Sequence, residues 1–186
     1  IGSDLIGPKL ALIDPNLLVR LPYKIATSTG LDALTHAIES YISKNENPIS
    51  DALNIYAIKT IAENIAPAST TNCDLEATSQ MVIASAMTAI AFNYTALGLV
   101  HSIAHALGGL YDIAHGIANA LILPYVMEFN IPSKPNKFAQ IATAMGENIE
   151  GLTKIEAAQK SVDAVTRLSK LLGIPQKLRE LNISKD

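Results

Sequence analysis

The sequence predicts an all-α domain, a multi-helix bundle of about seven or eight helices preceded by a short extended arm. Two patterns support this fold class: apolar residues recur at a helical spacing of about 3.6 residues, and alternating strand patterns scarcely occur. The length of 186 residues suffices for one ordinary domain with a sizeable core, but not for a second complete domain.

The amino-terminal stretch differs from the rest of the chain. An apolar run from Leu10 to Ile13 is halted by Pro15 and closed by Pro22, which predicts an extended arm or a single strand. We therefore divide the chain into an arm, residues 1–22, and a helical domain, residues 23–186.

Three helices are predicted to open the helical domain. The segment STGLDALTHAIESYISK carries apolar residues at helical spacing, and Ser28 or Thr29 is available as its N-cap. A second helix starts around residues 48–50 and is expected to stop at Pro67. Asp74 can cap the third.

Further helices follow. The stretch HSIAHALGGLYDIAHG predicts a fourth helix, broken at Gly108 and Gly109, and HGIANALILPYVMEFN predicts a fifth, bent or interrupted at Pro124. KPNKFAQIATAMG and TKIEAAQKSVDAVTRLSKLLG each end on the glycine expected after a helix. IPQKLRELNISKD is expected to begin another.

The composition excludes several classes of protein. Hydrophobic residues make up 49% of the chain and charged residues 17%, with a formal net charge of −3, which argues against a disordered chain or a basic nucleic-acid-binding domain. The single cysteine, Cys73, excludes an intramolecular disulfide and fits a reducing, cytoplasmic setting.

Residues 81–111 contain no charged side chain and are numerous enough to cross a membrane. Several polar residues interrupt this stretch, however, and no basic flank orients it. We expect it to lie at the buried centre of the bundle instead, and we expect no membrane partner.

The histidines are concentrated in two helical patterns. Three of the four histidines of the chain lie in one stretch, where His101 and His105 are four residues apart and His115 follows. The fourth, His36, is four residues after Asp32 in the segment DALTH. Residues four apart share one face of a helix, and two such helices are a common way to build a metal site.

The donor types favour Zn²⁺ or Fe²⁺ over Ca²⁺ or Mg²⁺, because imidazole suits borderline ions. The alternatives are hydrogen-bonded core histidines and an ordinary i, i+4 pair. Five groups are candidates for one ion, so one of them can remain unliganded for proton transfer; the spacing does not say which.

Four segments of the chain carry a resemblance to a known family. TSTGLDALTHAIESYIS, NPISDALN, LGLVHSIAHALGG and HGIANALILPYVMEFN closely resemble, in order and spacing, the iron-containing (group III) alcohol dehydrogenases. The match runs from about residue 8 through residue 146. It implies the dehydroquinate-synthase-like C-terminal helical domain of these enzymes.

The resemblance also implies roles for individual residues. Asp32, His36, His101 and His115 would be the metal ligands for Fe²⁺, with Zn²⁺ possible. His105 would be the unliganded histidine beside the nicotinamide and the substrate, where it would relay a proton. One further position, Phe92, would line the substrate pocket, with plain core packing as the alternative.

The implied reaction interconverts a small primary alcohol and an aldehyde by hydride transfer with NAD or NADP. In this family an amino-terminal α/β half binds the nicotinamide cofactor, and this chain contains no G-x-G-x-x-G stretch. We therefore expect the chain to be the helical, metal-binding half, to be inactive alone, and to self-associate through its exposed face.

One departure from the family pattern bears on substrate size. Where many members have Asn-x-Gly-Leu-Gly, this chain has Tyr94, Thr95 and Ala96 before Leu97 and Gly98. A bulkier residue there is expected to narrow the pocket. The competing functions are a metal-dependent hydrolase, which would act without nicotinamide, and a non-catalytic helical module that binds no metal.

Overall fold

The computed structural model describes residues 9–70, 74–181 and 183, and in this part of the chain it contains seven α-helices and no strand. The helices are α1 Tyr23–Tyr41, α2 Pro48–Ala68, α3 Leu75–Thr95, α4 Leu99–Tyr111, α5 His115–Asn130, α6 Pro135–Ala144 and α7 Lys154–Leu171. The predicted all-α fold class is confirmed. Cys73, on which the disulfide argument depended, lies outside the described residues.

The first helix lies at the centre of the bundle. It packs against α2, α3 and α5, while α4 packs against α5 and α6 against α7. Its Leu34 and Ile38 are fully buried in one core with residues of α2, α5 and α6. The largest fully buried side chains of this core include those of Ile58, Ile61, Ile65, Leu123, Met127, Phe138 and Ile141.

Two helix starts illustrate where local sequence decides the boundary. Asp74 caps α3 as predicted, since its carboxylate accepts the backbone N–H groups of Glu76 and Ala77. The predicted cap of α1 is wrong, because that helix begins at Tyr23. Ser28 and Thr29 lie inside it, and their hydroxyls donate back to the carbonyl of Ile25.

Two predicted helix breaks do not occur. Helix α4 continues through Gly108 and Gly109 and ends at Tyr111, and its C-cap residue, Asp112, adopts a left-handed conformation with φ 54°. Helix α5 continues through Pro124. The packing of both helices against their neighbours outweighs the low helix propensity of these residues.

The ends of the described chain contain little regular structure. Residues 9–22, the described part of the arm, contain no strand, and the only helical turn among them is a 3₁₀ turn at Pro15–Leu17. Instead of the helix predicted after α7, the described residues have a 3₁₀ turn at Leu178–Leu181. The remaining residues of that prediction, 182 and 184–186, lie outside the described residues.

The uncharged stretch forms two helices joined at residues 96–98, and it is less buried than expected. By length and composition alone α3 is able to cross a membrane, and 28% of its most apolar window is buried. It buries mainly small residues, whereas Ile83, Ile90 and Tyr94 are exposed. Ala96, which replaces the family's glycine, adopts φ 60° in the left-handed region that favours glycine.

Candidate metal centre

Three helices bring the five candidate residues to one place. Asp32 and His36 lie on α1, His101 and His105 on α4, and His115 is the first residue of α5. The positive-φ cap at the end of α4 turns the chain, so that α5 starts beside the histidines of α4. We call this group of five residues the histidine cluster.

A close contact between backbones places His115. A Cβ atom added to Gly116 would lie 2.4 Å from the carbonyl oxygen of Ser28, so only glycine allows α5 to approach α1 this closely. The approach brings His115 Nε2 within 3.5 Å of Asp32 Oδ1. The glycine after the histidine is therefore required by the geometry of the site.

Three side chains present converging ligand atoms. Asp32, His101 and His115 each offer one atom, and these atoms lie within 4.8 Å of one another, which makes them a possible metal-binding group. His101 Nε2 is 3.6 Å from Asp32 Oδ1. Asp32 and His101 are mostly shielded from solvent, whereas the side chain of His115 is 43% exposed, so the group opens on one side.

The remaining predicted residues surround this group. His36 has its Nδ1 atom 3.9 Å from Asp32 Oδ2, and its ring stacks on that of His101 at 4.6 Å between centroids. Phe92 stacks on His36 at 4.8 Å. His105 is exposed, with its ring centroid 5.1 Å from that of His115.

Sequence reasoning missed two residues of the site, Glu39 and Asn119. Glu39 Oε2 lies 2.7 Å from Nδ1 of His101. Asn119 is fully buried and follows His115 by one helical turn. Helical spacing was the available signal, because Glu39 is seven residues after Asp32 and Asn119 is four after His115.

The protonation of the cluster is set by burial and by two carboxylates. Burial lowers the pKa of His101, but its contacts with Asp32 and Glu39 outweigh burial and raise that pKa to about 9. Burial raises the pKa of Asp32, yet the neighbouring His101, His36 and Asn119 bring it below its usual value. For His36 burial dominates and lowers the pKa.

The arrangement fits a divalent cation. Nδ2 of Asn119 lies 2.5 Å from Asp32 Oδ1, 3.1 Å from His101 Nε2 and 3.0 Å from His115 Nε2. A primary amide has two N–H groups, so it cannot donate fully to three acceptors at once. One cation accepts electron pairs from all three, and a carboxylate with imidazoles suits Zn²⁺ or Fe²⁺.

The fold and the site define a helical domain with an aspartate–histidine group suited to a transition metal. Residues 26–186 match the model of the Fe-containing alcohol dehydrogenase family, C-terminal, and the chain belongs to this family. The resemblance noted in the sequence is thereby confirmed.

Individual relatives agree with this assignment. The chain is 48% identical over 178 residues to 1,3-propanediol dehydrogenase of Klebsiella pneumoniae, covering 96% of this chain and 46% of that protein. It is 41% identical over 184 residues to the NAD-dependent methanol dehydrogenase of Bacillus methanolicus, covering 99% and 48%. A solved structure of 1,3-propanediol oxidoreductase superposes with a TM-score of 0.90 and 49% identity, over 92% of this chain and 45% of that one. The chain thus spans about half the length of these relatives.

Proposed function

We propose that this chain supplies the metal-binding catalytic domain of an NAD(P)-dependent alcohol dehydrogenase that interconverts a small primary alcohol and an aldehyde. The observation that carries the proposal is the convergence of Asp32, His101 and His115 from three helices in a member of this family. Similar proteins that bear the names propanediol and methanol dehydrogenase support the substrate class.

The proposed ligands are Asp32, His36, His101 and His115, holding Fe²⁺, with Zn²⁺ as the alternative. A bound ion would act as a Lewis acid toward the alcohol oxygen and ease loss of its proton. Three of the four side chains already present atoms to a common point. The fourth, His36, lies beside them, with its Nδ1 atom 3.9 Å from Asp32 Oδ2 and its ring stacked on His101, and it would have to reorient to bind the same ion.

His105 and Phe92 are proposed to serve the substrate. The exposed imidazole of His105 stands at the open side of the group, beside His115, where it can relay a proton and contact the nicotinamide. Phe92 is proposed as an apolar wall of the substrate pocket. Its stacking on His36 places it next to the metal group and supports this role.

The nicotinamide cofactor is proposed to bind mainly to an amino-terminal half of a longer protein. The coverage of about half of each relative is consistent with this arrangement. In the same proposal, residues 1–22 are an arm from the interdomain region and residues 23–186 are the metal-binding domain. The choice between NAD and NADP would be made largely outside this chain.

The cellular context is part of the proposal. We propose a cytoplasmic protein without nucleic-acid or membrane partners, consistent with the net charge of −3. Self-association is supported by the exposed apolar side chains of α3, Ile83 and Ile90 among them. Neither a metal-dependent hydrolase nor a non-catalytic module is favoured, because the similar proteins carry the names of alcohol dehydrogenases.

The first test is the metal content of the anaerobically purified chain, measured by plasma mass spectrometry beside the Asp32→Asn variant. We expect about one Fe or Zn ion per chain and its loss in the variant, as for a site with protein ligands. Equal metal content in both proteins would contradict the ligand assignment.

The second test is activity. The chain alone is expected not to oxidise alcohols with NAD(P), and joining it to the amino-terminal half of the propanediol dehydrogenase should give turnover that His101→Ala abolishes. Hydrolysis without nicotinamide, or turnover by the chain alone that ligand variants abolish, would contradict the proposal.

A further inference from the structure

The carboxylate of Glu39 is buried at the junction of α1 and α4. Glu39 is 4% exposed and lies on the same face of α1 as Asp32 and His36, which precede it by seven and three residues. Its described hydrogen bonds all go to the start of α4 rather than to a lysine or arginine. Burying a carboxylate costs free energy unless its oxygens accept hydrogen bonds, and here the start of α4 donates those hydrogen bonds.

Glu39 caps α4 from another helix. Its Oε1 accepts the backbone N–H of Val100 at 2.7 Å, and its Oε2 accepts those of Gly98 at 3.1 Å and His101 at 3.4 Å. Helix α4 has no side-chain cap from its own N-cap residue, Gly98. The negative charge is also favoured by the positive end of the helix dipole.

The same carboxylate fixes the ring of His101. Oε2 lies 2.7 Å from Nδ1 of His101, and an ionised carboxylate only accepts hydrogen bonds, so the hydrogen must reside on Nδ1. On the opposite side of the ring, the amide of Asn119 donates toward Nε2 from 3.1 Å. Both contacts favour the same neutral tautomer, in which Nε2 keeps its electron pair and faces Asp32.

We propose that Glu39 is a positioning residue that holds His101 in the Nδ1–H tautomer and thereby makes Nε2 available to the metal. One carboxylate both caps α4 and selects the tautomer of His101. The position of α4 and the availability of Nε2 to the metal therefore depend on the same side chain. This inference rests on the proposed metal-binding function. A carboxylate that hydrogen-bonds a metal-binding histidine also raises the basicity of the ligand.

Glu39→Gln is a sharp test because it preserves the shape of the side chain. All the groups around the carboxylate are donors, and glutamine replaces one accepting oxygen with a donating NH₂ group. If that group faces Nδ1 of His101, the ring must accept there and carry its hydrogen on Nε2. If it faces Val100, that N–H loses its acceptor, while the remaining oxygen can still accept from Gly98 and from His101.

The tautomer is measured on the metal-free chain at about pH 10, above the pKa of His101, where the ring is neutral. Zn²⁺ affinity is then measured near neutral pH. Imidazole ¹⁵N NMR reports the tautomer of His101, identified by the signal missing from His101→Ala. We expect Glu39→Gln to shift the tautomer toward Nε2–H and to lower Zn²⁺ affinity about 10- to 100-fold in a chelator competition, as when other hydrogen-bond partners of metal-binding histidines are lost. The control is Glu63→Gln, which removes a carboxylate that is 60% exposed.

A second variant keeps the test valid if Glu39→Gln does not fold. A Cβ added to Gly98 would lie 2.8 Å from Oε1 of Glu39, whereas one added to Gly109 meets nothing within 4 Å. Gly98→Ala should therefore displace the carboxylate and weaken Zn²⁺ binding, while Gly109→Ala should not.

The outcomes separate the two proposals. Unchanged affinity in Gly98→Ala, together with unchanged tautomer and affinity in Glu39→Gln if that variant folds, would overturn the positioning role even if Asp32→Asn lost the metal. A lower melting temperature in both variants, without a change in tautomer or affinity, would mean that Glu39 is only a helix cap. Unchanged affinity in Asp32→Asn would instead contradict the metal site itself.

Discussion

Two polar clusters of this bundle differ in how their charges are satisfied. The histidine cluster has carboxylates but no lysine or arginine in its described contacts. The second, which we call the lysine cluster, comprises Glu46, Asp51, Lys134 and Lys137, near the end of α1. The side chains of the lysine cluster are 16–31% exposed, whereas those of the histidine cluster range from 5% for His101 through about 20% for Asp32 and His36 to 43% for His115.

The lysine cluster is complete by itself. Lys137 donates to both oxygens of Asp51 at 2.9 Å and to the carbonyl of Tyr41 at 2.6 Å, and Lys134 pairs with Glu46. In the histidine cluster, three acceptors instead share the single amide nitrogen of Asn119. A polar group whose charges are paired stabilises the fold, whereas one with excess acceptors is suited to a cation.

The largest expected effect comes from removing a proposed ligand. His101→Ala should lower Zn²⁺ or Fe²⁺ affinity by more than about 100-fold, because losing a residue that only hydrogen-bonds a metal ligand already costs about 10- to 100-fold. Most of the helix content should remain, since the core residues of α1, α2 and α6 are untouched. Chelator competition and far-ultraviolet circular dichroism measure the two quantities. If this variant bound metal with the parental affinity, the contrast between the histidine cluster and the lysine cluster would have no basis.

The next effect comes from separating the helices that carry the ligands. Gly116→Ala places a methyl group 2.4 Å from the Ser28 carbonyl, so α5 and His115 must move away from α1. We expect a loss of about 1–3 kcal/mol in the free energy of unfolding and weaker metal binding. Urea unfolding and Zn²⁺ titration provide the measurements. Gly109→Ala is the matched control. Equal stability and equal Zn²⁺ affinity of the two variants would contradict the role of the close contact between Gly116 and Ser28.

Breaking the lysine cluster should affect stability alone. Lys137→Met leaves Asp51 and the Tyr41 carbonyl without their donor, which should cost about 1–3 kcal/mol in the free energy of unfolding. Metal affinity should stay at the parental value, because this cluster shares no described contact with Asp32. Chemical unfolding and metal titration of the same preparation test both parts. A marked loss of metal binding by the folded variant would show that the clusters are coupled.

The smallest effect is a pH dependence in the lysine cluster. Burial raises the pKa of Glu46, but Lys134 and Lys137 outweigh it and bring the pKa below 4.5. The stabilisation from a lowered carboxyl pKa is present above the unfolded value and disappears as the pH falls through the folded one. Glu46→Gln should therefore flatten the fall in melting temperature between about pH 5 and pH 3. Parallel curves for the two proteins would exclude this linkage.

Local sequence predicted much of the bundle. Helix periodicity identified α1 to α7, and the capping motif at Asp74 placed the start of α3. It failed at Gly108 and Gly109, and of the bend or interruption predicted at Pro124 the interruption does not occur, because packing supports a helix where intrinsic propensity is low. The prediction from local sequence also misplaced the start of α1, because serine and threonine hydroxyls form hydrogen bonds inside helices as well as at their ends.

The amino-acid sequence specifies the groups available for chemistry: an aspartate and four histidines, spaced so that pairs share a helix face. The packing of the helices determines which of their atoms meet. It brought Asp32, His101 and His115 together, stacked His36 beside them and added Glu39 and Asn119. The reason is physical: helical periodicity fixes neighbours within one helix, but the distance between helices depends on packing, such as the approach of Gly116 to Ser28.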